Sequence, residues 1–186
     1  MKGVSMADID QVIEGVITRE GRYVNDPRDA GGETNWGITK ETARAAGYSG
    51  AMRDLPRSTA KEIYLRRYVI GPGFDRIGEM NAAIGAELVD TGVNMGPKVA
   101  TTFLQRVLTA LNNGGRDYGD IVVDGMMGPG TRGALRAFLD KRGPEGARVL
   151  LIALNGLQAE RYISLCEARQ ANEAFAYGWL RTRVAA

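Results

Sequence analysis

Three observations predict a mainly α-helical fold for this chain of 186 residues. Apolar residues recur at steps of three and four through most of its length, the spacing of one helix face. The stretches that interrupt this pattern are short and rich in Gly, Pro, Asn and Asp, the residues of turns. Only residues 21–37 have the composition of a tight hairpin, and only Ile121–Val123 reads as a short strand-like run. The length allows one substantial domain, or two small lobes that share a core. A division into lobes 1–96 and 97–186 is expected, packed together because no Ser/Gly/Pro linker separates them.

The first helix starts near Ser5, with Ile9, Val12, Ile13, Val16 and Ile17 on one face. Ser5 and Asp8 have capping-box spacing, and Gly21 is the expected stop. ITKETARAAG forms a short helix, and STAKEIYLRRYVI a longer one, opened by Ser58 or Thr59 with Glu62 completing a box from Thr59. MNAAIGAELVDTGVNMG is apolar almost all round, so this helix belongs at the centre of a domain. Pro97 suits the first turn of the next, in which Val99, Phe103, Val107 and Leu111 share a face. After the polar stretch that ends in DGMMGPG, TRGALRAFLDK resumes the helical pattern, with Thr131 as its cap. RGPEG is a turn, ARVLLIALNGLQAERYISLCEAR a long, mostly buried helix, and NEAFAYGWLRTRV a last one carrying Phe175, Trp179 and Leu180.

Composition narrows the function. A net charge of +2, with Lys and Arg dispersed among acids, lacks the basic stripe of a nucleic-acid binder. No segment offers about 18 uncharged apolar residues for a membrane span, and no signal peptide is recognisable. A protein made and kept in the cytoplasm until released is therefore expected. The single Cys166 cannot form an intramolecular disulfide and reads as a buried small hydrophobe. Histidine is absent, which removes Ser-His-Asp and Cys-His nucleophile systems and imidazole-based zinc sites. Carboxylate chemistry remains, and no metal or cofactor is expected.

Glu20 is the candidate centre of that chemistry. It follows Ile13 by seven positions and Val16 by four, so it falls on the apolar stripe of the first helix. It also sits in the last turn, where the helix dipole disfavours negative charge; burial and dipole both act to raise its pKa. A raised carboxyl pKa suits a general acid near neutral pH. The alternative is a structural ion pair with Arg19 or Arg22, or a frayed last turn. Asp26 and Asp29 follow in the loop, and a second carboxylate in a different environment divides the work as in glycoside hydrolysis; both also suit Asx turns around Pro27. Tyr23 and Trp36 offer flat faces for sugar rings, with packing in the core as the alternative.

EGRYVNDPRDAGGETNWGIT resembles EGGYVNDPxDxGGxTNxGIT, the opening motif of the glycoside hydrolase family 108 lysozymes, which are phage endolysins and related muramidases. MRDLPRSTAKEIYLRRY and DTGVNMGPKVATTFLQRVL are similar to that family's later blocks. IVVDGMMGPGTRGAL is similar to the DGxxGPxT motif of its peptidoglycan-binding C-terminal region. The resemblance covers nearly the whole chain and implies a lysozyme-like helical lobe, with a small hairpin or loop near the active site.

The resemblance also implies an N-acetylmuramidase that cleaves the β-1,4 bond between N-acetylmuramic acid and N-acetylglucosamine in peptidoglycan. Glu20 would protonate the leaving oxygen, Asp29 would be the second carboxylate, and Thr34 would place water, with Thr39 competing for that role. Tyr23, Asn25, Asp26, Asn35, Trp36 and Asn94 would contact substrate, Asn94 from the central helix. A monomer is expected, with a holin or secretion partner for export and neither nucleic acid nor stable membrane insertion. Arg22 departs from the family's small residue; it would pair with Asp26 or a muropeptide carboxylate, or else with Glu20, weakening the acid. For Asp124, Gly125, Gly128 and Pro129 the residues themselves indicate turn chemistry, and wall binding by this lobe rests on the resemblance. The alternatives are a lytic transglycosylase, and a wall-binding or helix-turn-helix adaptor.

Overall fold

The computed structural model describes residues 6–25 and 32–184, without the side chains of residues 6–8, 19 and 20. Helix α1 (Met6–Glu20) buries Ile9, Ile13, Val16 and Ile17 on the predicted face. Gly21 ends it with φ 77, a left-handed conformation that glycine adopts without Cβ strain. The proposed Ser5 cap lies outside the described residues.

The hairpin lies further along than residues 21–37: it pairs β1 (Thr34–Asn35) with β2 (Ile38–Thr39), Thr34 opposite Thr39 and Asn35 opposite Ile38, so Ile38 and Thr39, expected to open a helix, form its second strand. Its two turn residues, Trp36 and Gly37, have φ 55 and 73. Positive φ at both positions is the primed geometry whose twist matches that of the flanking strands. On the other side of β1, Val24 and Thr34 exchange two backbone hydrogen bonds of 2.9 Å. Helix α2 (Lys40–Ala45) follows at once, capped by the Thr39 hydroxyl, which accepts from the Thr42 N–H.

Helix α3 (Arg57–Leu65) starts one residue earlier than Ser58 and has no side-chain cap. Pro56, with φ −63, sets the entry, so Ser58 and Thr59 already lie in helical backbone and cannot act as caps. A wider π-type turn, Arg66–Ile70, continues it, and the Gly71 N–H closes on the Arg66 carbonyl at 2.8 Å.

Helices α4 (Phe74–Met80), α5 (Ala82–Met95) and α6 (Pro97–Ala110) form the centre, with α5 packed on α1, α4, α6 and α7. Ile84, Leu88 and Val89 bury the core face of α5, and the Asn81 side chain caps it. A Cβ at Gly85 would stand 2.6 Å from the Gly78 Cα, so the α4–α5 corner depends on two bare backbones.

Helix α7 (Pro129–Ala168) breaks at Gly143 (φ 57, ψ −150), where RGPEG predicts a turn. Its second arm is half-buried, not mostly buried: Leu150, Leu154, Gln158 and Tyr162 face inward, while Ile152 and Ile163 are 58% and 50% exposed. The segment has apolar residues on two faces but a neighbour on one. Helix α8 (Glu173–Arg183) adds Trp179, stacked on Tyr162 at 5.2 Å, and Cys166 is half-buried where full burial was expected.

Two further expectations fail in the segment before α7. Residues 121–123 form no strand, and Val122 is 77% exposed. The shape there is imposed by Gln105, which is buried on α6. Its amide nitrogen donates to Asp124, Met126 and Thr131, and its carbonyl accepts from the Gly125 N–H. Thr131 therefore anchors this hub, and Gly128 occupies the cap position of α7. One continuous hydrophobic core runs from Ile9 in α1 to Leu154 in α7. No helix among the described residues is long and apolar enough to cross a membrane.

Candidate active site

The junction singled out in the sequence lies where α1 ends on Glu20 and Gly21 redirects the chain. The Glu20 side chain and all of Asp26 and Asp29 lie outside the described residues. Around the junction the hairpin is well specified. The Tyr23 hydroxyl donates to Glu33 Oε1 at 2.9 Å, and Lys40 Nζ pairs with Glu33 Oε2 at the same distance. These two donors, Lys40 foremost, hold the Glu33 carboxyl below its ordinary pKa. Glu33 is thus an ionised tether for Tyr23 and not a proton donor. The Arg53 guanidinium lies 5.1 Å from the Tyr23 ring centroid, leaving the ring clamped at one edge and one face.

Trp36 is held in its left-handed conformation by its surroundings. Its indole N–H donates to the Leu55 carbonyl at 2.9 Å, and its own carbonyl accepts from the Tyr64 hydroxyl at 3.2 Å. Left-handed backbone is costly for a bulky residue and persists where neighbours overdetermine it. Asn35 is buried at 3% exposure; its amide nitrogen donates to the carbonyls of Met52 and Arg53. The Asn35 side chain fastens the hairpin to the turn at residues 52–54, and its Oδ1 is buried with no partner among the described residues. Asn25 is exposed.

The two threonine candidates differ in commitment. The Thr39 hydroxyl both caps α2 and donates to Thr42 Oγ1 at 3.0 Å. The Thr34 hydroxyl makes no hydrogen bond among the described residues, while its backbone is paired on both sides. Arg22 is exposed and forms no ion pair with a described acid.

Arg57, which the sequence did not single out, ties these parts together. It reaches Glu14 Oε2 at 2.6 Å and Thr18 Oγ1 at 3.0 Å on α1, and lies 5.9 Å from the Trp36 ring centroid. Lys61, one turn on, pairs with Asp10 and Glu14. The Lys61–Asp10 and Arg57–Glu14 pairs follow the same step of four along both helices, but only the packing of α3 on α1 brings them into register.

Asn94 takes part in a different cluster. Its amide donates to the Asp90 carbonyl at 2.7 Å, and it is exposed on α5. Asp90 pairs with Arg183 of α8 at 2.6 Å, and Gln158 of α7 donates to Thr91 at 3.0 Å. Beside them, burial pushes the Glu87 carboxyl up to about 7; the Thr91 hydroxyl opposes the shift and the charge of Asp90 adds to it. This group binds α5, α7 and α8 to one another.

Residues 13–96 match the family described as Glycosyl hydrolase 108, and residues 99–184 match the one described as Predicted Peptidoglycan domain. Among solved structures, Brucella abortus SagA superposes with a TM-score of 0.62 at 23% identity, over 97% of this chain and 91% of that one. That likeness establishes a shared fold. No curated protein matches the sequence significantly.

Proposed function

We propose, from the match of residues 13–96 to the glycosyl hydrolase 108 family and of the region behind it to a peptidoglycan domain, that this cell-wall hydrolase is an N-acetylmuramidase with Glu20 as general acid. Glu20 transfers its proton to the glycosidic oxygen as the bond to the muramic acid C1 breaks. Asp29 stabilises the cationic sugar or takes the proton from water, and the Thr34 hydroxyl orients that water. Tyr23 and Trp36 supply flat faces for the sugar rings. In this reading Asn35 supports the site from beneath, Asn25 and Asp26 face substrate from the loop, and Asn94 meets it from α5.

The observation that carries the reading is the junction itself. A glutamate closes α1 at the negative end of the helix dipole, and Gly21 turns the chain toward a braced hairpin. There the Thr34 hydroxyl makes no hydrogen bond among the described residues, while that of Thr39 is spent on a cap. The biological role that fits is a phage or prophage endolysin that lyses its host, acting on the wall as a monomer after release through a holin or secretion partner.

Mass spectrometry of fragments released from purified peptidoglycan tests the chemistry. Reducing-end N-acetylmuramic acid is expected; an anhydro end would mean a lytic transglycosylase, and no release a binding module. Glu20→Gln should fold normally and lose about 10²-fold to 10⁴-fold in wall-clearing rate. Near-full clearing by this variant would sink the acid assignment.

A further inference from the structure

A cleft of about 460 Å³ opens between α4 and the first arm of α7, across the junction of the two matched regions. It has the size of a small-ligand site. Arg76, Arg132 and Arg136 line it together with Asp75, Glu79 and Asp140, so its charges balance. Balanced charges in such a groove ordinarily neutralise one another as ion pairs, and here they do not. None of the six makes an ion pair within 4.0 Å among the described residues; Arg132 donates to the Met127 carbonyl at 2.7 Å. Asp75 Oδ1 is buried and accepts no hydrogen bond among the described residues. Leaving a buried carboxylate oxygen unpaired is costly, and a donor bound in the cleft would remove that cost once the groups covering the oxygen part.

The geometry points to a ligand that carries both charges: we infer that this cleft holds the zwitterionic stem peptide of peptidoglycan. Its carboxylates would meet the guanidinium groups, which recognise carboxylates in a fork geometry, and its free amino group would meet Asp75. This rests on the proposal that the substrate is peptidoglycan and adds which part of it is gripped outside the sugar-cleaving site. A polyanion such as nucleic acid fits less well, because three acids would face it.

The test uses the full chain and, as titrant in calorimetry, the tripeptide L-Ala-γ-D-Glu-meso-diaminopimelate N-acetylated at L-Ala as in the wall, which holds no glycosidic bond and is not turned over. Saturable binding is expected, weakened about tenfold by Arg76→Ala and again by Arg136→Ala, both exposed positions whose loss leaves the core intact. Asp75→Asn should weaken this peptide while leaving unchanged one whose diaminopimelate side-chain amine is acetylated as well. Absence of binding, or binding indifferent to both arginines in variants with unchanged circular dichroism, would overturn the inference. Because the readout is binding, failure here leaves the muramidase assignment standing, and a failed muramidase assignment appears separately in the fragments released by the wild-type chain.

Discussion

Glu87 lies one turn from Thr91, whose hydroxyl donates to it at 3.1 Å and itself accepts from Gln158 of α7. Its carboxyl is pushed up to about 7 chiefly by burial. In the unfolded chain it titrates near the ordinary glutamate value, so between roughly pH 4.5 and 7 unfolding releases a proton. Stability from this group is complete below that window and is lost as pH rises through it, the reverse of an ion-paired carboxylate. At about 1.4 kcal/mol per pH unit the difference amounts to about 2 to 3 kcal/mol, allowing for the residue's partial exposure. Glu87→Gln keeps an acceptor for Thr91 without the charge, so it should match the wild type near pH 4.5 and exceed it at pH 8. Urea unfolding at a series of pH values measures this; parallel pH profiles for the two proteins would refute it. The residues of the candidate active site are legible in a different sense. Glu20 stood out because a charge on an apolar stripe conflicts with its neighbours, and Tyr23, Trp36 and Thr34 because aromatic and hydroxyl groups crowd one loop. Arg57 and Gln105 carried no such local conflict, since their partners lie on other elements.

At the scale of elements, α1, α5 and α6 were readable because each buries one continuous stripe against a single set of neighbours. The hairpin was readable from turn chemistry, although glycine alone explains only half of its turn: Trp36 takes the other left-handed position under tertiary constraint. Periodicity failed for the second arm of α7, where apolar residues on the outer face find no neighbour. It failed again at residues 121–123, where β-branched side chains met no open strand edge. What no pattern revealed is the corner between α4 and α5, which depends on a close approach of backbones. The Gly85 position admits no side chain, because the obstructing atoms are the Gly78 Cα and N, at 2.6 and 2.8 Å, and neither can rotate away. Gly85→Ala should therefore destabilise by about 1 to 3 kcal/mol despite the better helix propensity of alanine. Gly133 on α7 has open space around it, and Gly133→Ala should instead stabilise by about 0.5 to 1 kcal/mol. Denaturant midpoints for the pair decide the matter; stabilisation by both would show that propensity, not backbone contact, governs the corner.

For the whole molecule, the question is whether the two matched regions are two folding units or one. The two family matches divide the chain just after α5, yet α5 buries residues against α1 and α4 on one side and α6 and α7 on the other. The core passes through that division without interruption, and the Thr91–Gln158 and Asp90–Arg183 contacts cross it as well. Cutting after residue 96 would expose the α5 face that α6 covers, an apolar surface that a small lobe cannot leave in water. A single cooperative transition is expected for the full chain. The two tryptophans allow a direct measurement, since Trp36 sits in the hairpin and Trp179 stacks on Tyr162 at the other end. Trp36→Phe and Trp179→Phe each leave one reporter. Within each variant, the fluorescence of the remaining tryptophan should follow the helix signal from circular dichroism at the same urea concentration, as two-state unfolding requires. A reporter that melts well before the helices would mean that its lobe unfolds independently, and the continuous core would then be a packing contact between two separate domains.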